Sequence, residues 1–248
     1  MNAVPPPALP VPPVGPDPAA SATIPTPESV VTVQSAKVPA RPDTGTHAGR
    51  QKNVVVLASG SGTLLQALLD DPEPKPYRIA AVGSDRTSCF ALDRAAALAV
   101  PTFSCLLADH PDRAAWNRAL AVLTASFNAD LVVLAGFMKL VSDIFLAAFP
   151  DRVINAHPSL LPAFPGMHAP ADALAHGVKL TGCTVFLVDG GVDAGPIVAQ
   201  RAVPVLDSDD VESLHERIKV AERALLVEVV RALTGSAYRV SGRRVNVG

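Results

Sequence analysis

The chain has few cysteines, little charge of either sign and no long apolar run, and each shortage removes a class of protein. Cys89, Cys105 and Cys183 stand far apart. An odd number without paired spacing builds neither a disulfide framework nor a zinc cluster, so they are expected as small buried hydrophobes in a reducing cytosol. Lys and Arg number 21 against 23 Asp and Glu, a net charge of −2, which leaves no bulk field for nucleic acid or an anionic membrane. A local phosphate site survives this exclusion, because backbone N–H groups bind phosphate without formal charge. No run approaches the ~18 apolar residues of a membrane span, and residues 1–9 lack the basic and apolar segments of a signal peptide. The expectation is a soluble, cytoplasmic protein with no nucleic-acid or membrane partner.

Apolar residues are plentiful. The 248 residues are 49% hydrophobic and 18% charged, ample for the core of one large domain. The first 50 residues stand apart. Twelve of the 24 prolines fall between Pro5 and Pro42, with no aromatic residue among them. Such a segment cannot bury enough apolar surface to offset its ordering entropy. Residues 1–50 therefore read as a disordered, polyproline-like tail, dispensable for activity, and residues 51–248 as the folded domain.

From Asn53 the pattern becomes regular. Apolar runs at 53–58, 79–83, 102–104 and 131–135 read as strands. Segments ending at Leu69, at 88–98 and at 112–128 read as helices. Alternating strands and helices imply βαβ units and the α/β class, an open, twisted, mostly parallel sheet flanked by helices. Further on, 153–155, 183–188 and 197–203 read as strands. The last helix is expected from about Asp209 to Thr234, capped by Asp209 with Glu212 and ended by Gly235. Its apolar stripe would be Val211, Leu214, Ile218, Ala221 and Leu225. Residues 238–247 suit a hairpin turning at Ser241-Gly242.

Three constellations carry polar chemistry. Ser59-Gly60-Ser61-Gly62-Thr63-Leu64-Leu65 follows the first strand and opens a helix. Such a turn suits a phosphate but serves equally as a plain tight turn. It is neither a dinucleotide fingerprint, since Leu65 takes the third glycine position, nor a Walker A loop. Asn155 and His157 lie two apart, so an extended segment presents both on one face, and Pro158 favours that geometry. An amide beside an imidazole can bond a developing oxyanion and exchange a proton; a hydrogen-bonded loop histidine is the plainer alternative. Asp193 sits among Gly190, Gly191 and Gly195, where a backbone can approach a ligand closely or simply turn. Sequence leaves open whether Asp193 meets His157.

Taken in order, these motifs resemble the formyltransferase family that uses 10-formyltetrahydrofolate. The resemblance rests on the opening Val-Leu-x-Ser-Gly-x-Gly, on Ala135-Gly136-Phe137-Met138, on Asn155-x-His157-Pro-Ser-Leu-Leu-Pro162 and on Asp193 in Val-Asp-x-Gly-Pro. It covers residues 53 to 234. His-Pro-Ser-Leu-Leu-Pro leans toward members that formylate the amine of glycinamide ribonucleotide, and away from the methionyl-tRNA branch, whose C-terminal barrel has no counterpart here. Deformylases of formyltetrahydrofolate share the Asn, His and Asp; residues 1–50 cannot make their βαββαβ regulatory domain.

The resemblance implies a Rossmann-like fold and two small-molecule substrates, glycinamide ribonucleotide and the formyl folate, with no metal. A homodimer is compatible with it. Asn155, His157 and Asp193 match the catalytic set. Gly60, Ser61, Gly62, Thr63 and Leu64 match the loop holding the ribonucleotide phosphate. Glu222 matches a carboxylate on its sugar, against the alternative of an intrahelical pair with Lys219 or a contact with Arg223. Arg113, Met138, Lys139, Leu140, Val141 and Asn155 match folate contacts. A cis bond between Leu161 and Pro162 is also implied. Three positions depart from the pattern: Leu64 replaces an Asn, Lys139 an Arg, and Phe186 a second histidine. The competing readings are a deformylase and a nucleotide-binding regulatory protein that has lost catalysis.

Overall fold

The structure is a computed structural model that describes residues 50–248; apart from Arg50, the expected tail lies outside the described residues. Strands and helices alternate through the first half: β1 (Lys52–Leu57), α1 (Thr63–Leu69), β2 (Tyr77–Ser84), α2 (Phe90–Ala97), β3 (Thr102–Ser104), α3 (Arg113–Ser126), β4 (Leu131–Leu134), α4 (Asp143–Ala148) and β5 (Val153–His157). The second half holds α5 (Ala169–Ala175), β6 (Leu180–Leu187), β7 (Ile197–Pro204), α6 (Val211–Gly235), β8 (Tyr238–Ser241) and β9 (Arg244–Val247).

Val54, Val55, Val56 and Leu57 of β1 are all fully buried, as in a parallel strand covered on both faces. Their side chains alternate. Val54 and Val56 join Leu65 and Leu68 of α1 and Leu214 and Ile218 of α6 in one core layer. Val55 and Leu57 join Trp116 and Leu120 of α3 and Phe145 of α4 in the other. This period of two makes a continuous apolar run build both layers; each such side chain contributes roughly 1.5–3 kcal/mol of burial.

One sheet runs in the order β3-β2-β1-β4-β5-β6-β7-β9-β8. β3 through β5 pair in parallel, while β5–β6 and β6–β7 are antiparallel. The chain leaves β1 toward β2 on one side and returns to β4 on the other. That reversal falls at the carboxyl ends of β1 and β4, the position at which open α/β sheets bind ligands.

Several local expectations change. Asp210, not Asp209, caps α6, accepting from the Ser213 backbone in a capping box completed by the Ser213 side chain rather than by Glu212. Asp209 instead accepts from Arg217 and the Leu206 N–H, so its carboxylate is held well below its ordinary pKa by Arg217. Gly235 is the last helical residue, and the chain turns extended at Ser236. Val211, first in the helix, is exposed rather than part of the buried stripe. α4 and α5, six and seven residues long, are too short for apolar periodicity to reveal. The terminal hairpin forms as expected, turning through Gly242 at φ 58°, and docks on β7 through Ile197 and Arg244.

Candidate active site

The three polar constellations converge on neighbouring strand ends. Asn155 of β5 is in register with Leu134, the last residue of β4. The segment that continues β4 returns to the end of β1, where the Ser59 N–H donates to the Gly136 carbonyl at 3.2 Å.

His157 ends β5 and is 5% exposed. Its Nε2 lies 2.8 Å from the Phe164 carbonyl, and its Nδ1 lies 3.4 Å from Asp193 Oδ2. The carbonyl only accepts, so Nε2 carries the hydrogen, and Nδ1 then faces a carboxylate. Both contacts are attractive in the imidazolium form. The pair that sequence left open is thus formed, with both ring nitrogens engaged. Asp193 Oδ2 also accepts from the Gly166 N–H at 2.8 Å, tying the loop after β5 to the loop before β7. Asp193 has φ 50°. Its loop can return against β6 because residue 195 is glycine: a Cβ there would sit 1.7 Å from the Leu187 carbonyl. Arg243, on the terminal hairpin, donates to the Ala194 carbonyl at 2.8 Å. That contact joins two segments far apart in sequence.

Asn155 is half-buried and accepts from the Ala156 N–H through Oδ1 at 2.9 Å. Its amide nitrogen meets no acceptor among the described residues, leaving a donor beside the imidazole. Phe186 lies opposite Asn155 across the β5–β6 ladder, where its ring adds bulk but no proton. The Leu161–Pro162 bond is cis.

In the loop after β1, Gly60 and Ser61 are exposed. Gly62 takes φ 70° with Ala91 packed so close that a Cβ would lie 2.7 Å from its Cα. The Gln66 N–H makes the first helical bond, to the Gly62 carbonyl; the N–H groups of residues 63–65 have no intrahelical acceptor. Arg94 Nε donates to the Ser61 carbonyl at 2.9 Å, a buttress the motif did not announce. Leu64 is half-buried and packs against the core, so any hydrogen bond it makes to a ligand must come from its backbone. A groove of about 680 Å³ between α1 and α6 opens beside Thr63, with Gln66, Arg94 and Arg223 on its walls.

On the other flank, Met138 and Leu140 are exposed apolar side chains, and Val141 packs on the core. Arg113 spends one arm on the Leu140 carbonyl at 2.8 Å and stacks its guanidinium over Trp116. Lys139 lies 3.7 Å from Asp85, a residue the sequence reading passed over although it stands at a strand end.

Glu222 of α6 is 7% exposed. No donor meets its carboxylate among the described residues, and burial raises its pKa to about 7 against the pull of Lys219 and Arg223. Lys219 pairs with Glu216 at 2.6 Å instead. The Glu222 charge is felt by Cys183, whose thiol is pushed up to about 12, mainly by burial; Cys183 precedes Thr184, the β6 partner of His157. Among the described residues no cluster of His, Cys, Asp and Glu could hold a metal, and no helix is long and apolar enough to cross a membrane.

Known proteins resemble this chain in sequence and fold. Residues 52–230 match the Formyl transferase family. A phosphoribosylglycinamide formyltransferase of Mycobacterium tuberculosis is 56% identical over 196 residues, covering 79% of this chain and 91% of its own. The crystal structure of glycinamide ribonucleotide transformylase 1 from Symbiobacterium toebii superposes with a TM-score of 0.78 at 46% identity, over 80% of this chain and 95% of that one. A formyltetrahydrofolate deformylase from Pseudomonas syringae superposes with a TM-score of 0.74 at 27% identity, over 80% of this chain and 66% of that one. The family match runs from the first strand into the long C-terminal helix and takes in every strand end described above: the chain belongs to the formyl transferase family.

Proposed function

We propose that this protein transfers the formyl group of 10-formyltetrahydrofolate to the amine of glycinamide ribonucleotide, a step in making purines. The observation that carries the reading is the His157–Asp193 contact at 3.4 Å on the strand that also carries Asn155, whose amide nitrogen meets no acceptor among the described residues. The high identity to a phosphoribosylglycinamide formyltransferase along nearly its whole length supports the choice of substrate.

The ribonucleotide amine attacks the formyl carbon, forming a new C–N bond and a tetrahedral oxyanion. The Asn155 amide donates to that oxygen, and the His157 imidazolium, held by Asp193, adds positive charge beside it. Collapse breaks the bond between the carbon and the folate N10. The proton lost by the attacking amine passes to N10 through the His157–Asp193 pair and water, so no covalent enzyme intermediate is required. The loop 60–64 would cradle the phosphate through backbone N–H groups, Glu222 would take donors from the ribose, and Arg113 with residues 138–141 would line the folate side. Holding both substrates in one crevice supplies much of the acceleration by orientation. The free thiols fit a reducing cytoplasm.

The test is folate-dependent formylation by the purified full chain. Tetrahydrofolate should form only when glycinamide ribonucleotide is present. Formate release at the same rate without the ribonucleotide would replace this reading with the deformylase one.

A further inference from the structure

The segment 136–142 carries no regular structure, yet it is fixed at four points. Ser59 N–H donates to the Gly136 carbonyl, Arg113 donates to the Leu140 carbonyl, and the Ser142 N–H donates to Asn117 Oδ1 at 2.8 Å. The fourth point is the Met138 N–H, which donates to Ser59 Oγ at 2.8 Å. Ser59 is fully buried. Its one hydroxyl proton goes to Asp85 Oδ1 at 2.5 Å, which turns the oxygen lone pairs toward Met138. The Asp85 side chain is only 4% exposed, and its other oxygen lies 3.7 Å from Lys139 Nζ. Residues 59, 85, 138 and 139 thus close a ring. The carboxylate orients the hydroxyl, the hydroxyl holds the Met138 backbone, and Lys139, the next residue, returns charge to the carboxylate. Hydrogen bonds to an ionised acceptor are the strong kind.

We propose that Ser59 and Asp85 are positioning residues for the folate: they set the register of the segment whose exposed Met138 and Leu140 side chains meet it, and neither touches the reacting atoms. The inference rests on the formyl-transfer reading and deepens it. It also accounts for the lysine that stands where the family pattern has arginine, since Lys139 turns to Asp85 as a point charge and no bidentate fork is needed.

The experiment measures KM for each substrate with full-chain Ser59→Ala, Asp85→Ala and Asp85→Asn. Losing a hydrogen bond to a charged group should raise the folate KM by about tenfold or more in both alanine variants. The ribonucleotide KM should stay within about twofold. Asp85→Asn should fall between, because its amide oxygen still accepts from Ser59 while the charge facing Lys139 is gone. The double alanine variant should be little worse than either single one, as expected for two residues acting through one chain of bonds. An unchanged folate KM overturns the inference. So does a parallel rise of both constants with a lowered melting temperature, which marks general scaffolding. Should the alanine variants fail to fold, the near-isosteric Asp85→Asn decides alone. Failure of the underlying reading is distinct, since the unaltered protein would then form no formylated ribonucleotide.

Discussion

Two carboxylates, Asp71 against helix α6 and Glu222 on it, are equally hidden from water, at 8% and 7% exposed, yet they live in opposite environments. Asp71 accepts from Arg231 Nε with both oxygens, at 2.9 and 2.8 Å, and from the Tyr77 hydroxyl at 2.8 Å. Arg231 also binds the Pro72 carbonyl. The Tyr77 phenol is held well above its ordinary pKa by burial and by Asp71. Glu222 meets no donor among the described residues, and its pKa rises to about 7 through burial alone. Burial does not distinguish them; donors do. A satisfied buried carboxylate staples the fold, whereas an unsatisfied one costs stability and is a seat for donors brought by a ligand.

The comparison extends to Asp193, half-buried and paired with His157, and it sets the order of expected effects. The largest is Asp193→Asn, which should lower turnover by about 10²–10⁴-fold while leaving the urea unfolding midpoint in place. His157→Ala should fall in the same range, and the double variant should be far from additive. Additive losses would separate the pair into independent roles.

Next is Asp71→Ala. Breaking a buried pair from its buried side destabilises strongly, but Arg231 keeps about a third of its side chain in water, so a loss of about 2 kcal/mol is expected, read from urea unfolding. Both KM values should hold. A shift in either would mean the staple reaches the crevice.

Glu222→Gln should do the reverse, raising the ribonucleotide KM by about tenfold with the folate KM unchanged. It should also change the pH profile of stability. The folded pKa of Glu222 is raised from 4.5 to about 7, so the native state holds a proton the unfolded chain has released. Stability from this group is complete below about pH 4.5 and is lost as pH climbs through about 7. The wild-type unfolding free energy should fall across that window by up to about 3 kcal/mol, and the Gln variant should lack that component. A flat difference between the two proteins from pH 4.5 to 7 would show that Glu222 already has donors.

The smallest effect is Arg243→Ala. Losing its hydrogen bonds to the Ala194 and Gly195 carbonyls, in the loop behind Asp193, should lower kcat by about threefold, with KM steady and Arg244→Ala silent as a control. An unchanged kcat would mean the Asp193 loop holds itself through Gly166 and Gly195.

Much of this was written locally. The buried strands announce themselves as apolar runs because residues covered on both faces need no polar alternation. Asn155 and His157 share a face because a strand repeats every two residues. The turn at Gly62 and the hairpin at Gly242 follow from residues that tolerate positive φ. α4 and α5 escaped because six or seven residues carry too little periodicity. The cap of α6 slid from Asp209 to Asp210 because Arg217, two turns into the helix, claims the first aspartate, a competition that adjacent letters do not display.

By itself the sequence determined the strands, the long helices, the order of the polar motifs and the extended presentation of Asn155 with His157, since each depends on bonding and packing within a few residues. Tertiary structure alone decided that Asp193 reaches His157, that Asp85 orients Ser59 against Met138, and that Asp71 finds donors where Glu222 meets none among the described residues. A carboxylate's chemistry is set by which donors surround it, and those donors arrive here from strands and helices that only the sheet order brings together.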